Sequence, residues 1–382
     1  IRSFEMFAAD LPFRKPFKHA AASRVSSESI LLKCEIESGT VGFGECLPRE
    51  YVTGESRGSA YRLLKNNILP HLVGKDFKNL QAVFEFLDRC NGKAPAGWVA
   101  SSTPQTAAWA AIDTSLLDAF GREFGQSIRL GSAERGLPDF RYSAVFSAEK
   151  GMQAFRTLLK FRLYGFKQVK IKINSDHAEP TVRMARRVLG RRCDIRVDAN
   201  MTWDLPQAID GMRRLTRFGI RSFEQPLMPG EIDGLAALVR ETGLNVMVDE
   251  SLNDHESLEM LIARRACTAV NIRISKCGGL VAAFNRSMRA LEAGLAVQVG
   301  SQVGETSLLS AAQLVLIAAL PKVIFAEGCY GLHLLKHDPV HPLKQFGYGG
   351  RPPALPTESG LGVQLDETAL RKWCRQIDTI SN

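Results

Sequence analysis

Val169-Lys170-Ile171-Lys172-Ile173 alternates charge with branched apolar side chains. In an extended strand this puts both lysines on one face and the apolar residues on the other. Four more short apolar runs follow it: DIRVDAN (194–200), IRSFEQPL (220–227), NVMVDESL (245–252) and AVNIRISK (269–276). Each ends on or near one charged residue, in turn Asp198, Glu224, Asp249 and Lys276. Counted from Lys172, these recur every 25 to 27 residues. One strand, one helix and two short loops take about 25 residues, so the period is that of a βα unit. Consecutive parallel strands that each present a charge at the C-terminal end describe a (β/α)8-type barrel with its active site on that rim. Two lysines on the inward face of such a strand cannot be ordinary core; they need carboxylates or an anionic ligand beside them.

The three acids read as a metal site. One acid at a strand end is commonly a solvated loop residue, but three at equivalent places in successive repeats are not. Oxygen-only ligands select a hard cation, and Mg²⁺ takes six oxygens, leaving positions for water and a substrate oxygen. Asn200 lies two residues past Asp198 and shares its face in a strand; it either bonds a ligand or caps the loop. Lys276 precedes Gly278 and Gly279, glycines that permit close backbone approach and open a helix. With no GxxxxGK[ST] pattern, they do not make a phosphate loop. Lys172 and Lys276 fall on opposite sides of the barrel mouth, so a metal-bound substrate would have an amine on each face. Neighbouring cations should push Lys172 towards the near-neutral pKa of a general base.

The rest of the chain sets bounds. Its 382 residues suit a barrel plus a second module. The formal charge of +9 is carried by scattered Lys and Arg without aromatic interleaving. That argues against nucleic acid and for a small anionic substrate. Eight cysteines without a CxxC pair read as reduced thiols. With no leader peptide or membrane span expected, the expectation is a cytoplasmic protein, and a homo-oligomer. Residues 308–320 are apolar but short, and read as a buried barrel helix. His333, His337 and His341 have the i, i+4, i+8 spacing of helical metal ligands, but Pro339 interrupts any such helix. They and His177 read as loop residues.

Residues 1–130 are expected to form an α+β capping domain, with strands at 29–37 and 40–44 and helices at 59–68, 80–89 and 104–120. The barrel is expected over 131–338, from a first strand at 140–146 and helix at 148–163 to a last strand at 323–326. Residues 339–382 should return to the cap through an extended segment and a short helix at 367–377.

With K-x-K on strand 2, Asp/Glu/Asp on strands 3–5 and Lys-x-Gly-Gly after strand 6, the chain resembles the enolase superfamily, muconate-lactonizing-enzyme subgroup. The resemblance covers nearly all of it and implies a modified (β/α)7β TIM-type barrel with an α+β cap built from both ends of the chain. It implies Mg²⁺, with Mn²⁺ as the alternative, on Asp198, Glu224 and Asp249. Lys172 and Lys276 become the acid/base pair, while Lys170 holds the substrate carboxylate or tunes Lys172. The Asp and His of the mandelate-racemase subgroup are missing. The implied chemistry moves the proton α to a substrate carboxylate through an enediolate whose charge the metal and Lys170 stabilise.

Selectivity should come from the last strands and the cap. Glu327 in F-A-E-G occupies the place where the subgroup's cycloisomerases carry Glu, and no Asp-x-Asp of the dipeptide epimerases occurs there. Segments 13–24 and 48–55 resemble the family's two mobile loops. Lys18, His19, Arg49 and Tyr51 on them are candidates to meet a second carboxylate. Asn200, Glu327, His19 and Tyr51 therefore join Lys170 as expected substrate-binding residues. The expected activity is a muconate-cycloisomerase-like lactonization of an unsaturated dicarboxylate. The alternatives are an N-acylamino acid racemase or dipeptide epimerase, or an o-succinylbenzoate-synthase-like dehydratase, with the same metal and lysines.

Overall fold

The computed structural model describes residues 1–18, 23–131, 136–147, 149–173 and 178–381. Two sheets organise it. The first is antiparallel and holds β1 (Ser3–Lys18), β2 (Ser23–Glu35) and β3 (Val41–Cys46). The helix Thr106–Glu123 lies against it, buried along nearly its whole length.

The second sheet has eight strands in strict chain order: β4 (Ala144–Ser147), β5 (Gln168–Lys172), β6 (Asp194–Asp198), β7 (Ser222–Glu224), β8 (Asn245–Val248), β9 (Ala269–Ile272), β10 (Ala296–Val299) and β11 (Phe325–Ala326). Every pairing within it is parallel. A parallel bridge from Tyr142 to Ala326, with the Ser143 N–H donating to Ala326 O at 2.9 Å, joins the first strand region to the last. The barrel expected from the 25-residue period is therefore present. Helices between the strands turn one apolar stripe inward, as Ala178–Leu189 does with Val182, Ala185, Val188 and Leu189. Asp204 and Asp254 start two of them with reciprocal caps to Gln207 and Ser257. The helix Ser307–Ala319 is buried on all sides, in keeping with its continuous apolar sequence.

The C-terminal segment does return to the cap, but in a different form. After two short strands, β12 (Val340–His341) and β13 (Gln364–Leu365), the helix stops at Trp373, and Cys374–Ser381 is a strand, β14, pairing antiparallel with the outer edge of β1. Charges spaced as on a helix hid the β-branched run Ile377, Thr379 and Ile380, whose extended form an open sheet edge stabilises. The long β1 was also not anticipated. The three histidines part company: His333 stacks on Phe346, His337 stacks on Trp373, and His341 lies 3.6 Å from Asp366.

Candidate active site

At the C-terminal rim, strand register sets which charges are neighbours. Lys170 pairs with Arg196, and Lys172 with Asp198, which in turn pairs with Glu224. Asp249 follows the last residue of β8. Lys276 sits one turn beyond β9, on the short helix Ile274–Cys277. That turn is held from the cap: Asp113 accepts from the Leu280 and Val281 N–H groups at 2.6 and 3.3 Å. A Cβ on Gly278 would lie 1.9 Å from Gly92 O, and one on Gly279 2.3 Å from the Asp113 carboxyl carbon. The two glycines are thus what lets the cap close on the lysine's turn.

Lys170 is buried, with Glu224 Oε1 at 3.1 Å, Glu327 Oε2 at 3.0 Å and Asp198 Oδ2 at 3.3 Å. Burial alone would lower its pKa, but the carboxylates of Glu224, Glu327 and Asp198 outweigh it and raise it, so this lysine is a fixed cation. Lys172 differs. Its partners are more distant, Asp198 Oδ2 at 3.5 Å and Asn200 Oδ1 at 3.4 Å. Burial and then the nearby cations Lys170 and Arg273 lower its pKa against the pull of Asp198. Lys276 donates to Asp249 Oδ1 at 2.8 Å and to Asn271 O at 2.9 Å. Burial, then the Arg273 guanidinium, pushes it down to about 7. Both amines that could move a proton are thus the ones drawn away from permanent charge.

As they stand, the three acids do not close on one point. Among the described residues, no group of three His, Cys, Asp or Glu side chains could hold a metal ion. The reason is local pairing: Lys170 bridges Asp198 and Glu224, while Arg273 and Lys276 draw Asp249 to their own side. The residues nevertheless fit a hard divalent cation. Among the described residues, Asp198 Oδ2 meets only the ammonium groups of Lys170 and Lys172, at 3.3 and 3.5 Å, and Glu250 Oε2 beside Asp249 is buried without a hydrogen bond. Even without Glu250, whose pKa burial raises to about 7, Asp198, Glu224, Asp249 and Glu327 outnumber Lys170, Arg196 and Arg273, leaving negative charge in excess whenever the lysine pair is neutral.

The other expected contacts divide. Asn200 holds its backbone in the left-handed region at φ 46° and donates its N–H to Asp198 Oδ1 at 3.0 Å while its side chain reaches Lys172. Glu327 has both oxygens engaged by protein cations, one by Lys170 and one by Arg196. Arg49 is buried and donates to the carbonyls of Pro48 and Val303, so it ties the cap loop to the loop after β10. Tyr51 is half-buried on the turn Glu50–Thr53. The next residues, Val52, Thr53 and Gly54, line with Asn253 and Lys276 a cavity of about 300 Å³. His19 and His177 lie outside the described residues, as does the side chain of Lys18.

Several polar residues of the barrel interior were not anticipated. Asn271 and Gln298 donate to Glu224 at 3.0 and 3.4 Å, and Arg196 bonds Ser143 at 2.9 Å with its guanidinium 4.4 Å from the Phe325 ring. Period-two counting finds them, since Arg196 stands two before Asp198 and Asn271 faces Gln298 in register.

Two family models match this chain. Residues 3–130 match the mandelate racemase / muconate lactonizing enzyme N-terminal domain, and residues 154–369 match the enolase C-terminal domain-like family. The N-succinyl-L-Arg/Lys racemase of Bacillus cereus is 28% identical over 97% of both chains. Its crystal structure superposes with a TM-score of 0.88 over 100% of this chain and 99% of that one, at 26% identity. Muconate cycloisomerase 1 of Rhodococcus opacus is 27% identical over 98% of both. A dipeptide epimerase of Cytophaga hutchinsonii, complexed with Mg and D-Ala-L-Val, has the same fold, with a TM-score of 0.87 at 21% identity over 100% of both chains.

Proposed function

The chain belongs to the mandelate racemase / muconate lactonizing enzyme family of the enolase superfamily and is an isomerase, and from that premise we propose that it interconverts the two configurations at the α-carbon of an N-acylated amino acid or dipeptide. The observation that carries this reading is the placement of the lysines. Lys172 ends β5 and Lys276 follows β9, four strands apart in a sheet of eight, so they stand across the mouth from one another. Removing a proton from one face of a carbon and returning it to the other needs two groups so placed. Each must accept or donate near neutral pH, and burial lowers the pKa of both.

Asp198, Glu224 and Asp249 are the residues that would hold Mg²⁺. The cation's contribution, once bound, is to stabilise negative charge developing on the substrate carboxylate. Lys170, kept charged by the acids around it, adds a fixed positive charge on the same side. Asn200 orients Lys172 from the strand end. The cap's Val52–Gly54 segment shares with Lys276 the lining of a cavity at this edge of the site.

The lactonizing reading needs only one proton-transferring lysine. It draws on Glu327, the 48–55 loop and the basic cap, and the Glu327 carboxylate is paired with Lys170 and Arg196. The 27% identity to a muconate cycloisomerase keeps it as the second reading. One experiment separates the two. Purified protein with Mg²⁺ is incubated in D₂O with N-succinyl-L-amino acids, L-dipeptides or cis,cis-muconate, and followed by proton NMR and optical rotation. Loss of the α-proton signal with inversion supports the proposal. Lactone formation from muconate without any α-exchange overturns it.

A further inference from the structure

Gln225 follows Glu224 directly and is fully buried. Its backbone sits at φ 38°, a left-handed conformation that a non-glycine residue keeps only where its surroundings over-determine it. The surroundings here are the three acid-bearing strand ends. Its carbonyl accepts from the Met201 N–H at 2.8 Å, in the loop after Asp198, and its own N–H donates to Met247 O at 2.8 Å, on β8. The side chain then clasps the turn that carries Asp249. Oε1 accepts from the Asp249 N–H at 2.9 Å and the Ser251 N–H at 3.1 Å. Nε2 donates to Leu227 O at 2.8 Å and Ser251 Oγ at 2.7 Å.

Both lone pairs and both protons of the amide are used. No other side chain offers that pattern at this reach. A glutamate would set a carboxylate oxygen against the Leu227 carbonyl. An asparagine is one methylene short. An apolar residue would leave four buried polar groups without partners.

We propose that Gln225 is the positioning residue that fixes the spacing of Asp198, Glu224 and Asp249 for a divalent cation, its amide locking the Asp249–Ser251 turn. This rests on reading those acids as the cation site. Residues that orient ligands from behind typically cost 10- to 100-fold in metal affinity when changed.

The test is calorimetric titration of the EDTA-stripped full chain with MgCl₂ and MnCl₂, for wild type, Gln225→Glu, Gln225→Met and Ser251→Ala. Metal-free melting temperatures and hydrogen exchange at the Asp249 and Ser251 amides accompany each titration. The expected result is a loss of affinity of about 10-fold or more in the folded Gln225 variants. A smaller loss is expected in Ser251→Ala, with faster exchange at both amides. A general structural role would lower the melting temperature without moving the affinity of the folded fraction. Affinity within twofold of wild type, with those amides exchanging faster, overturns the proposal. If neither Gln225 variant folds, Ser251→Ala decides, because it removes one bond of the clasp. A flat wild-type trace refutes the cation reading itself and is distinguishable from either result.

Discussion

Lys172 and Lys276 are the same side chain in different surroundings, and the difference predicts how each should fail. Lys276 is 1% exposed and locked by Asp249 and Asn271, while the Lys172 side chain is 14% exposed and has longer contacts only. If each serves one face of the substrate carbon, Lys172→Ala and Lys276→Ala should both lose inversion by about 10²–10⁴-fold. Each should still exchange the α-proton of one enantiomer, and the two variants should favour opposite enantiomers. Deuterium incorporation into D- and L-substrate, followed separately by NMR, checks this. A variant that still exchanges both enantiomers would assign the chemistry to a single base. The lysines and the three acids were legible because each terminates an apolar run at constant spacing. Gln225 and Arg273 were not, because their importance lies in what they touch across neighbouring loops. Glu327 directly follows the last strand, at the strand end where its spacing put it, yet its partner Arg196 is 131 residues away in sequence, beyond the reach of local pattern.

At the scale of elements, the turn after β9 is the most demanding piece of the site. Gly278 has φ +80°, with Gly92 O in the path of any Cβ. Gly278→Ala therefore meets strain and a backbone clash together, and should destabilise the fold by about 2–3 kcal/mol. It should also weaken substrate turnover by displacing Lys276. Urea denaturation measures the first effect and α-exchange the second; an unchanged midpoint would show that the cap yields at this contact. The glycines were readable as a site of close approach, but the approaching partner was not. The barrel strands were readable for a related reason: burial on one face and helices on the other enforce a pattern inside each segment. In the cap, β1 and β14 owe their extended form to pairing with each other across the whole chain, and alternation alone does not reveal that.

At the scale of the whole molecule, the cap, barrel and C-terminal segment meet at the start of the helix Ser307–Ala319, and they meet through buried acids. Glu45 from the cap accepts from the Thr306 N–H and hydroxyl, the latter at 2.6 Å. Asp338 accepts from the Ser307 N–H at 2.9 Å, and Glu305 from the Gln302 N–H at 2.7 Å. Burial raises Asp338 to about 6, Glu45 to about 7 and Glu305 to about 8. Glu45 pushes Glu305 further up, while Arg273, Arg49 and, for Asp338, His341 pull the other way. A carboxyl whose pKa is higher folded than unfolded holds its proton in the native state after the unfolded chain has lost it. Its contribution to stability is therefore complete below the ordinary carboxylate range and declines as pH rises from about 4 to about 8. Between pH 5 and pH 8 the wild type should lose stability through this cluster. Glu305→Gln, which keeps a hydrogen-bond acceptor without an ionisable proton, should reduce that loss by on the order of a few kcal/mol. Unfolding free energies of both proteins at the two pH values give the comparison, with the acid-side losses from Asp198 and Glu327 common to both. An equal slope in wild type and variant would mean that Glu305 ionises in the folded protein as readily as in the unfolded one.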